Sequence, residues 1–303
     1  ESLAHYRKVL QALRARGIEP VVTLHHFTNP QWLMDLGGWP KRQAVDFFLR
    51  FAERVVRECA DLVHFWITVN EPTIYFSHAY ILGVLPPQET SVFRGLAVER
   101  HLGRAHIHAY RMIHRIYREK RLPAPAVSFS QHMQAFVPCV PSLKNRMAAW
   151  LRHRWFNLSL IDQAVRARAL DFIGVNYYSR QLVELKRWGL QNLAADVCEK
   201  GHHPVKKNAL GWAIYPEGLG MLLGKIKKYK LPIMITENGI CAEEDPLRWE
   251  FIAGHLAHIH EAMEDGAKVI GYLYWALLDN FEWAEGFKPR FGLIEVDYKT
   301  QRR

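Results

Sequence analysis

Short apolar, β-branched runs alternate with amphipathic helical patterns along almost the whole chain, and that alternation narrows the possible folds more than any other feature. The runs are "IEPVVTLHH" (18–26), "VHFWITVN" (63–70), "APAVSFSQHM" (124–133), "LDFIGVNYY" (170–178), "LPIMITEN" (231–238) and "VIGYLYWALL" (269–278). Helical periodicity fills the intervals at 40–60, 97–120, 215–230 and 246–266, and residues 1–17 open as an amphipathic helix with Leu3, Tyr6, Val9, Leu10 and Leu13 at helical spacing. Strand followed by helix, joined by short turns, predicts parallel β/α construction. Strands without polar alternation predict a sheet covered on both faces. No composition break divides the sequence, so a single domain over 1–303 is expected.

Such a pattern suits an open doubly wound sheet or a closed barrel, and the strand ends decide between them. Chemically capable side chains recur there: His25 and His26, Asn70 and Glu71, Asn176 with Tyr177 and Tyr178, Glu237 and Asn238, then Asp279, Asn280 and Glu282. An open sheet concentrates its site at one switch point, whereas a barrel distributes it around the C-terminal rim. The expectation is therefore an α/β fold of the TIM (β/α)8-barrel type.

Composition excludes several classes of function. With 49% hydrophobic and 23% charged residues among 303, the chain can bury a substantial core and is not disordered. No run approaches eighteen consecutive apolar residues, and no charged leader precedes the first helix, so neither a membrane span nor a membrane partner is expected. Cys59, Cys139, Cys198 and Cys241 lack C-x-x-C spacing, which predicts reduced thiols rather than a disulfide frame or zinc site, and hence a cytoplasmic protein. The net charge of +10 raises a nucleic-acid reading, centred on "RMIHRIYREKR" (111–121) and "LRHRW" (151–155). Their helical spacing without interleaved stacking aromatics favours solvated helix faces instead.

Two strands far apart in sequence end alike, in "WITVNEPTIYF" (66–76) and "IMITENGI" (233–240), each on a Glu beside an Asn. Two carboxylates on rigid strand ends suit glycoside hydrolysis, in which one protonates the departing oxygen while the other attacks the anomeric carbon or activates water. At these residues the sequence resembles glycoside hydrolase family 1, the β-glucosidase and β-galactosidase family. The motifs "VTLHHFTNPQWL", "DFIGVNYYSR", "GWAIYPEGL" and "YWALLDNFEWAEGFKPRFGLIEVDY" agree in the right order and extend the likeness over essentially all 303 residues.

The resemblance implies a retaining β-glycosidase for unphosphorylated β-glucosides or close epimers, with neither cofactor nor metal. By that likeness Glu237 is the nucleophile and Glu71 the general acid and later base, their carboxyls about 5 Å apart as retention requires. Negative charge on Glu237 keeps Glu71 protonated until the glycosyl-enzyme forms. Tyr178 orients the nucleophile, Asn70 holds the 2-hydroxyl, Asn176, His26, Glu282 and Trp283 bind the sugar, and Trp275 supplies an aromatic floor. Glu282 would repel a phosphate, which disfavours phosphorylated substrates.

Other features read as ordinary structure. His25 points away from its neighbour His26 because adjacent strand positions face opposite sides. Trp32, Trp39, Trp66, Trp212 and Tyr274 are available to pack the core, Trp66 and Tyr274 above all. "HLAHIH" (255–260) imitates a metal site but reads as a helix face, and "GLGMLLG" (218–224) follows a helix-start "YPE" rather than a strand, so it is not a nucleotide loop.

The family pattern also has two strands before "VVTLHH", carrying a sugar-binding Gln and an Arg near the nucleophile, and a closing helix after "VDYKTQRR"; neither stretch is present in the 303 residues. Motif order thus assigns strands three to eight. Two unpaired edges are then expected, met by further segments of a longer polypeptide, by a complementing chain, or by rearrangement and homo-oligomerisation. A catalytically impaired carbohydrate-binding barrel is the alternative to an enzyme.

Overall fold

The computed structural model describes residues 1–186, the backbone of 196–197 and residues 205–303. The elements run α1 (Ser2–Arg14), β1 (Val21–His25), α2 (Gln31–Asp35), α3 (Gln43–Cys59), β2 (Phe65–Asn70), α4 (Pro72–Tyr80), α5 (Val92–Glu119), β3 (Ala126–Pro138) and α6 (Leu143–Arg152). After a π-helical turn at His153–Asn157 come α7 (Ser159–Arg166), β4 (Ile173–Glu184), β5 (Asp196–Val197), α8 (Pro216–Ile226), β6 (Ile233–Asn238), α9 (Asp245–Glu264) and β7 (Val269–Tyr274). Hydrogen-bonded neighbours follow the order β1-β2-β3-β4-β6-β7, with β5 paired antiparallel to β4. The pairs β1–β2, β2–β3 and β6–β7 are parallel. All six expected strands form.

The described residues gather into two compact units, Glu1–Gln131 with Leu160–Gly174, and His132–Ser159 with Val175–Arg303. In the first, α3 turns Ala44, Val45, Phe48, Ala52, Val56 and Cys59 inward at helical spacing, and α5 buries Val98, Leu102, Ala105, Ala109, Ile113 and Ile116. Strand β2 is buried on both faces from Trp66 onward, as a covered parallel strand should be. Trp66 is wholly enclosed, and its indole N–H donates to the Tyr117 hydroxyl (2.8 Å), so its one polar group is satisfied.

The second unit buries Leu219, Leu222, Leu223 and Ile226 of α8 and Ile233, Met234 and Ile235 of β6, and α8 packs against α9. Here β7 departs from expectation: Ile270 (49%) and Leu273 (41%) are exposed and no residue of the strand is fully buried, so it is not covered on both faces. It also ends at Tyr274, followed by isolated bridges at Leu278–Ile294 and Glu282–Gly286. Strand β4 runs on to Glu184, which puts Asn176 and Tyr178 within the strand rather than at its end.

Three further readings are corrected. Cys139 is disulfide-bonded, not a reduced thiol; Cys198 lies outside the described residues, while Cys59 and Cys241 are free and buried. The basic run at 151–155 is not a solvated face, since Arg152 is buried, bonds to Gln181 and lies over the Phe136 ring, and His153 is buried too. Trp32 (50% exposed) and Trp212 (38%) lie at the surface, and Tyr274 is half-buried, whereas Trp39 is enclosed.

The run at 111–121 does lie on a solvated helix, where Arg115 pairs with Glu53 (3.3 Å) and Glu119 (3.5 Å). "GLGMLLG" lies in α8, with Pro216 in its first turn. No helix among the described residues is long and apolar enough to cross a membrane.

Candidate active site

The first unit contributes His26, Asn70 and Glu71. Strands β1 and β2 pair in parallel with His25 opposite Val69, which brings the residues after them to the same end. There the Asn70 amide lies 3.1 Å from His26 Nε2. Burial lowers the His26 pKa, the nearby Glu71 charge opposes that shift, and a neutral ring can accept at Nε2 from the Asn70 amide. His25 turns the other way into a cage of Trp39, Phe48 and Tyr75, where burial pushes its pKa down to about 4.

Glu71 is held in an uncommon backbone state. It sits between the last residue of β2 and Pro72, the first residue of α4, and its φ of 42° and ψ of 56° are left-handed. A residue before proline is disfavoured in the right-handed helical region, and a non-glycine residue in the left-handed one costs about 1 kcal/mol or more. Its N–H donates to Ser130 O (2.8 Å), which helps hold that geometry. Phe27, next to His26, and Trp283 also have positive φ (66° and 44°), so strained backbone recurs beside the candidate residues.

In the second unit Tyr178 and Glu237 meet directly. The phenol donates to Glu237 Oε2 at 2.6 Å. Stacked on the Tyr178 ring is His132 (centroids 6.1 Å, 15°), with Trp212 (6.0 Å) and Phe291 (6.3 Å) edge-on. Asn176 is fully buried, and its Oδ1 accepts from the Thr236 hydroxyl (2.6 Å).

Asn238 turns inward, donating to Tyr177 O (2.7 Å) and accepting from the Tyr272 hydroxyl (2.8 Å). That pins the backbone immediately after Glu237. Trp275 N–H donates to Asn238 O (3.0 Å), and a Cβ on Gly239 would lie 2.0 Å from Trp275 O, so only glycine fits. Glu282 and Trp283 occupy the loop after β7, where Glu282 N–H donates to Gly286 O (2.7 Å). Tyr177 and Asp279 are buried rather than presented at a rim.

Sequence reading missed the ring contacts of His132, Trp212 and Phe291 with Tyr178. Trp212 and Phe291 lie within "GWAIYPEGL" and "FKPRFGL", so their motifs were visible although their contacts were not. Within "HLAHIH", His255 Nδ1 bonds to Phe251 O (2.7 Å) and His258 Nδ1 to Glu261 (2.7 Å). Among the described residues no group of three or more His, Cys, Asp or Glu is placed to hold a metal ion.

The family model described as "Glycosyl hydrolase family 1" matches residues 1–167 and 157–303. The chain belongs to glycosyl hydrolase family 1. A Pyrococcus woesei β-galactosidase is 32% identical over 99% of the chain and 69% of its own length. The family 1 chain superposes on the β-glycosidase from Pyrococcus horikoshii with TM-score 0.91 at 36% identity, covering 99% of this chain and 72% of that one. For the Thermotoga maritima β-glucosidase in complex with deoxynojirimycin the TM-score is 0.90 at 27% identity, covering 99% and 74%. The fold class is α/β of the TIM-barrel type with six strands recognisable, and family 1 membership makes the protein a β-glycosidase by class.

Proposed function

We propose that this chain is a retaining β-glycosidase acting on unphosphorylated β-glucosides or close epimers, without a cofactor. The observation that carries the reading is the 2.6 Å bond from the Tyr178 phenol to Glu237, on a strand end immobilised by Asn238. A nucleophile must be aimed, and a phenol hydrogen bond to its carboxyl supports that role for Glu237.

In the proposed cycle the Glu237 carboxylate attacks the anomeric carbon. Glu71 gives its proton to the glycosidic oxygen as that C–O bond breaks and the aglycone leaves. Glu71, now a carboxylate, takes a proton from water, whose oxygen attacks the same carbon and releases Glu237. Two inversions return the β-anomer. Asn70 holds the 2-hydroxyl, where contacts strengthen as positive charge develops on the sugar ring. His26, Asn176, Glu282 and Trp283 fix the sugar, with Trp275 beneath it. A neutral His26 suits this role, because its ring can both donate and accept. Relatives named β-galactosidase and β-glucosidase support a site that accepts either epimer.

The test is hydrolysis of a chromogenic β-glucoside by the 303-residue chain beside Glu237→Gln and Glu71→Gln, with the product anomer followed by NMR. β-Glucose appearing first, and loss of at least ~10³-fold in Glu237→Gln, is the expected result. Release of the α-anomer would refute retention. Sugar binding by a folded wild-type chain that never turns over would leave a carbohydrate-binding protein instead.

A further inference from the structure

Asp279 stands among the polar residues that the sequence places near a strand end, yet the proposed chemistry gives it no task. Only 1% of its side chain is exposed, and it is an ion-pair partner of Arg290 (2.8 Å). Its Oδ1 accepts from Gly292 N (2.9 Å), and its Oδ2 accepts from Arg290 Nη1 and from Val296 N (3.3 Å). A Cβ on Gly292 would lie 2.3 Å from Asp279 N and 2.8 Å from Asp279 Oδ1, so the carboxylate closes on a position only glycine can occupy. An acidic side chain so fully used is not available to a sugar.

What lies between the two partners gives the pair its meaning. Residues 280–289 form the loop that carries Glu282 and Trp283, and Asp279 and Arg290 are its two ends. Inside the loop the Glu282–Gly286 bridge and a 3-10 turn at Trp283–Glu285 set local shape, and Tyr298 holds it through its hydroxyl on Asn280 O (3.1 Å) and its ring on Phe287 (4.7 Å). Arg290 anchors its far end. Its guanidinium also donates to Val296 O (2.8 Å) and lies over Tyr298 (4.6 Å). Its carbonyl accepts from Ala242 N (3.1 Å), in the segment that follows Glu237 and Asn238. The ion pair thus closes the loop at its two ends, and the Arg290 backbone carbonyl joins that closure to the segment that follows the strand bearing Glu237.

We propose that Asp279 and Arg290 are positioning residues for sugar selection: their ion pair fixes Glu282 and Trp283 relative to Glu237, and its loss erases discrimination for the sugar's outer hydroxyls. The inference rests on the reading that Glu282 and Trp283 hold those hydroxyls. Neither Asp279 nor Arg290 touches substrate in this account; both act through the loop.

Calorimetry with deoxynojirimycin and its 6-deoxy analogue tests it without requiring turnover. Wild type should bind the hydroxylated sugar about tenfold more tightly. In Asp279→Asn and in Arg290→Lys that ratio should fall to about twofold or less, with the folded circular dichroism spectrum kept. A merely structural pair would leave the ratio unchanged while lowering thermal stability or both affinities together, and that result overturns the proposal, as does a wild type that does not discriminate. If Asp279→Asn fails to fold, Arg290→Lys decides, since that guanidinium side chain is one-third exposed (33%). Turnover of the chromogenic glucoside separates the two ideas: an active wild type with unchanged ratios in the variants defeats the positioning role alone. An inactive wild type defeats the glycosidase reading while the binding ratios still judge the pair.

Discussion

One hydroxyl carries the most testable chemistry at the scale of single residues. The Tyr178 ring is boxed by His132, Trp212 and Phe291, so Tyr178→Phe keeps the packing and removes the bond to Glu237. A hydrogen bond to a charged acceptor contributes about 1.5–3 kcal/mol, so kcat should fall roughly 10- to 100-fold. KM should move less, because the phenol acts on the proposed nucleophile rather than on the sugar. Steady-state kinetics on an aryl β-glucoside would check this, and an unchanged kcat would remove Tyr178 from the machinery. The family resemblance singles out Tyr178, the second Tyr of "NYY", and strand parity gives the physical reason: Tyr177 is buried with its hydroxyl on Tyr215 O (2.6 Å), whereas the Tyr178 hydroxyl bonds to Glu237.

Elements were legible in proportion to their periodicity. Helix α3 announces itself because it buries one regular set of side chains, and strand β2 because it is an unbroken run buried on both faces. Helix α4 does not, since Thr73, Tyr75, Phe76, Ser77, Ala79 and Tyr80 are buried around its circumference and leave no polar face to give a period. Nor were α6 and α7 visible, because "LRHRW" reads as a basic surface while Arg152 and His153 turn inward. Junctions between elements also escaped, and Asp171 is the clearest. It accepts from the Tyr110 hydroxyl and Val127 N–H, and pairs with His114 Nε2, all at 2.8 Å, joining α5 to the start of β3. Burial opposes its ionisation, but the His114, Val127 and Tyr110 bonds outweigh that and hold its pKa below the ordinary 3.8. Asp171→Asn should therefore destabilise the protein by about 2 kcal/mol at pH 7, read as a lower urea midpoint. Because the folded-state pKa is depressed, this stabilisation is present above 3.8 and lost as pH falls through the lowered value. A variant matching wild type at pH 7 would show that the junction contributes nothing.

Across the whole molecule, motif order conveyed the strand succession and the family, whereas the protonation of the core was invisible in sequence because an isolated histidine carries no sign of its burial. Four imidazoles are pushed down to about 4 from 6.5, all chiefly by burial: His25 and His106 in the first unit, His153 and His255 in the second. For His153 the cations Lys225, Lys228 and Arg154 add to the effect. His106 shows why a proton is unwelcome: Nε2 bonds to Ala169 O (2.7 Å) and Nδ1 to Thr68 Oγ1 (2.8 Å), a pairing suited to one ring proton. Each of these groups takes up its proton in the unfolded chain near 6.5 but in the folded chain only near 4. Unfolding therefore binds protons inside that window, and stability that is full above it drains away as pH falls from 6.5 towards 4. By pH 5 the loss is about 2 kcal/mol for each of the most enclosed rings, His25, His106 and His255, against a total stability on the order of 5–15 kcal/mol. The urea midpoint should consequently drop steeply between pH 7 and pH 5, well above the range where Asp171 titrates. Replacing His106 by Gln should lower the midpoint at pH 7 yet flatten its slope with pH, because one proton-linked group is gone. A midpoint level from pH 7 to pH 5 would mean that these rings are already charged in the folded core, and would contradict their burial.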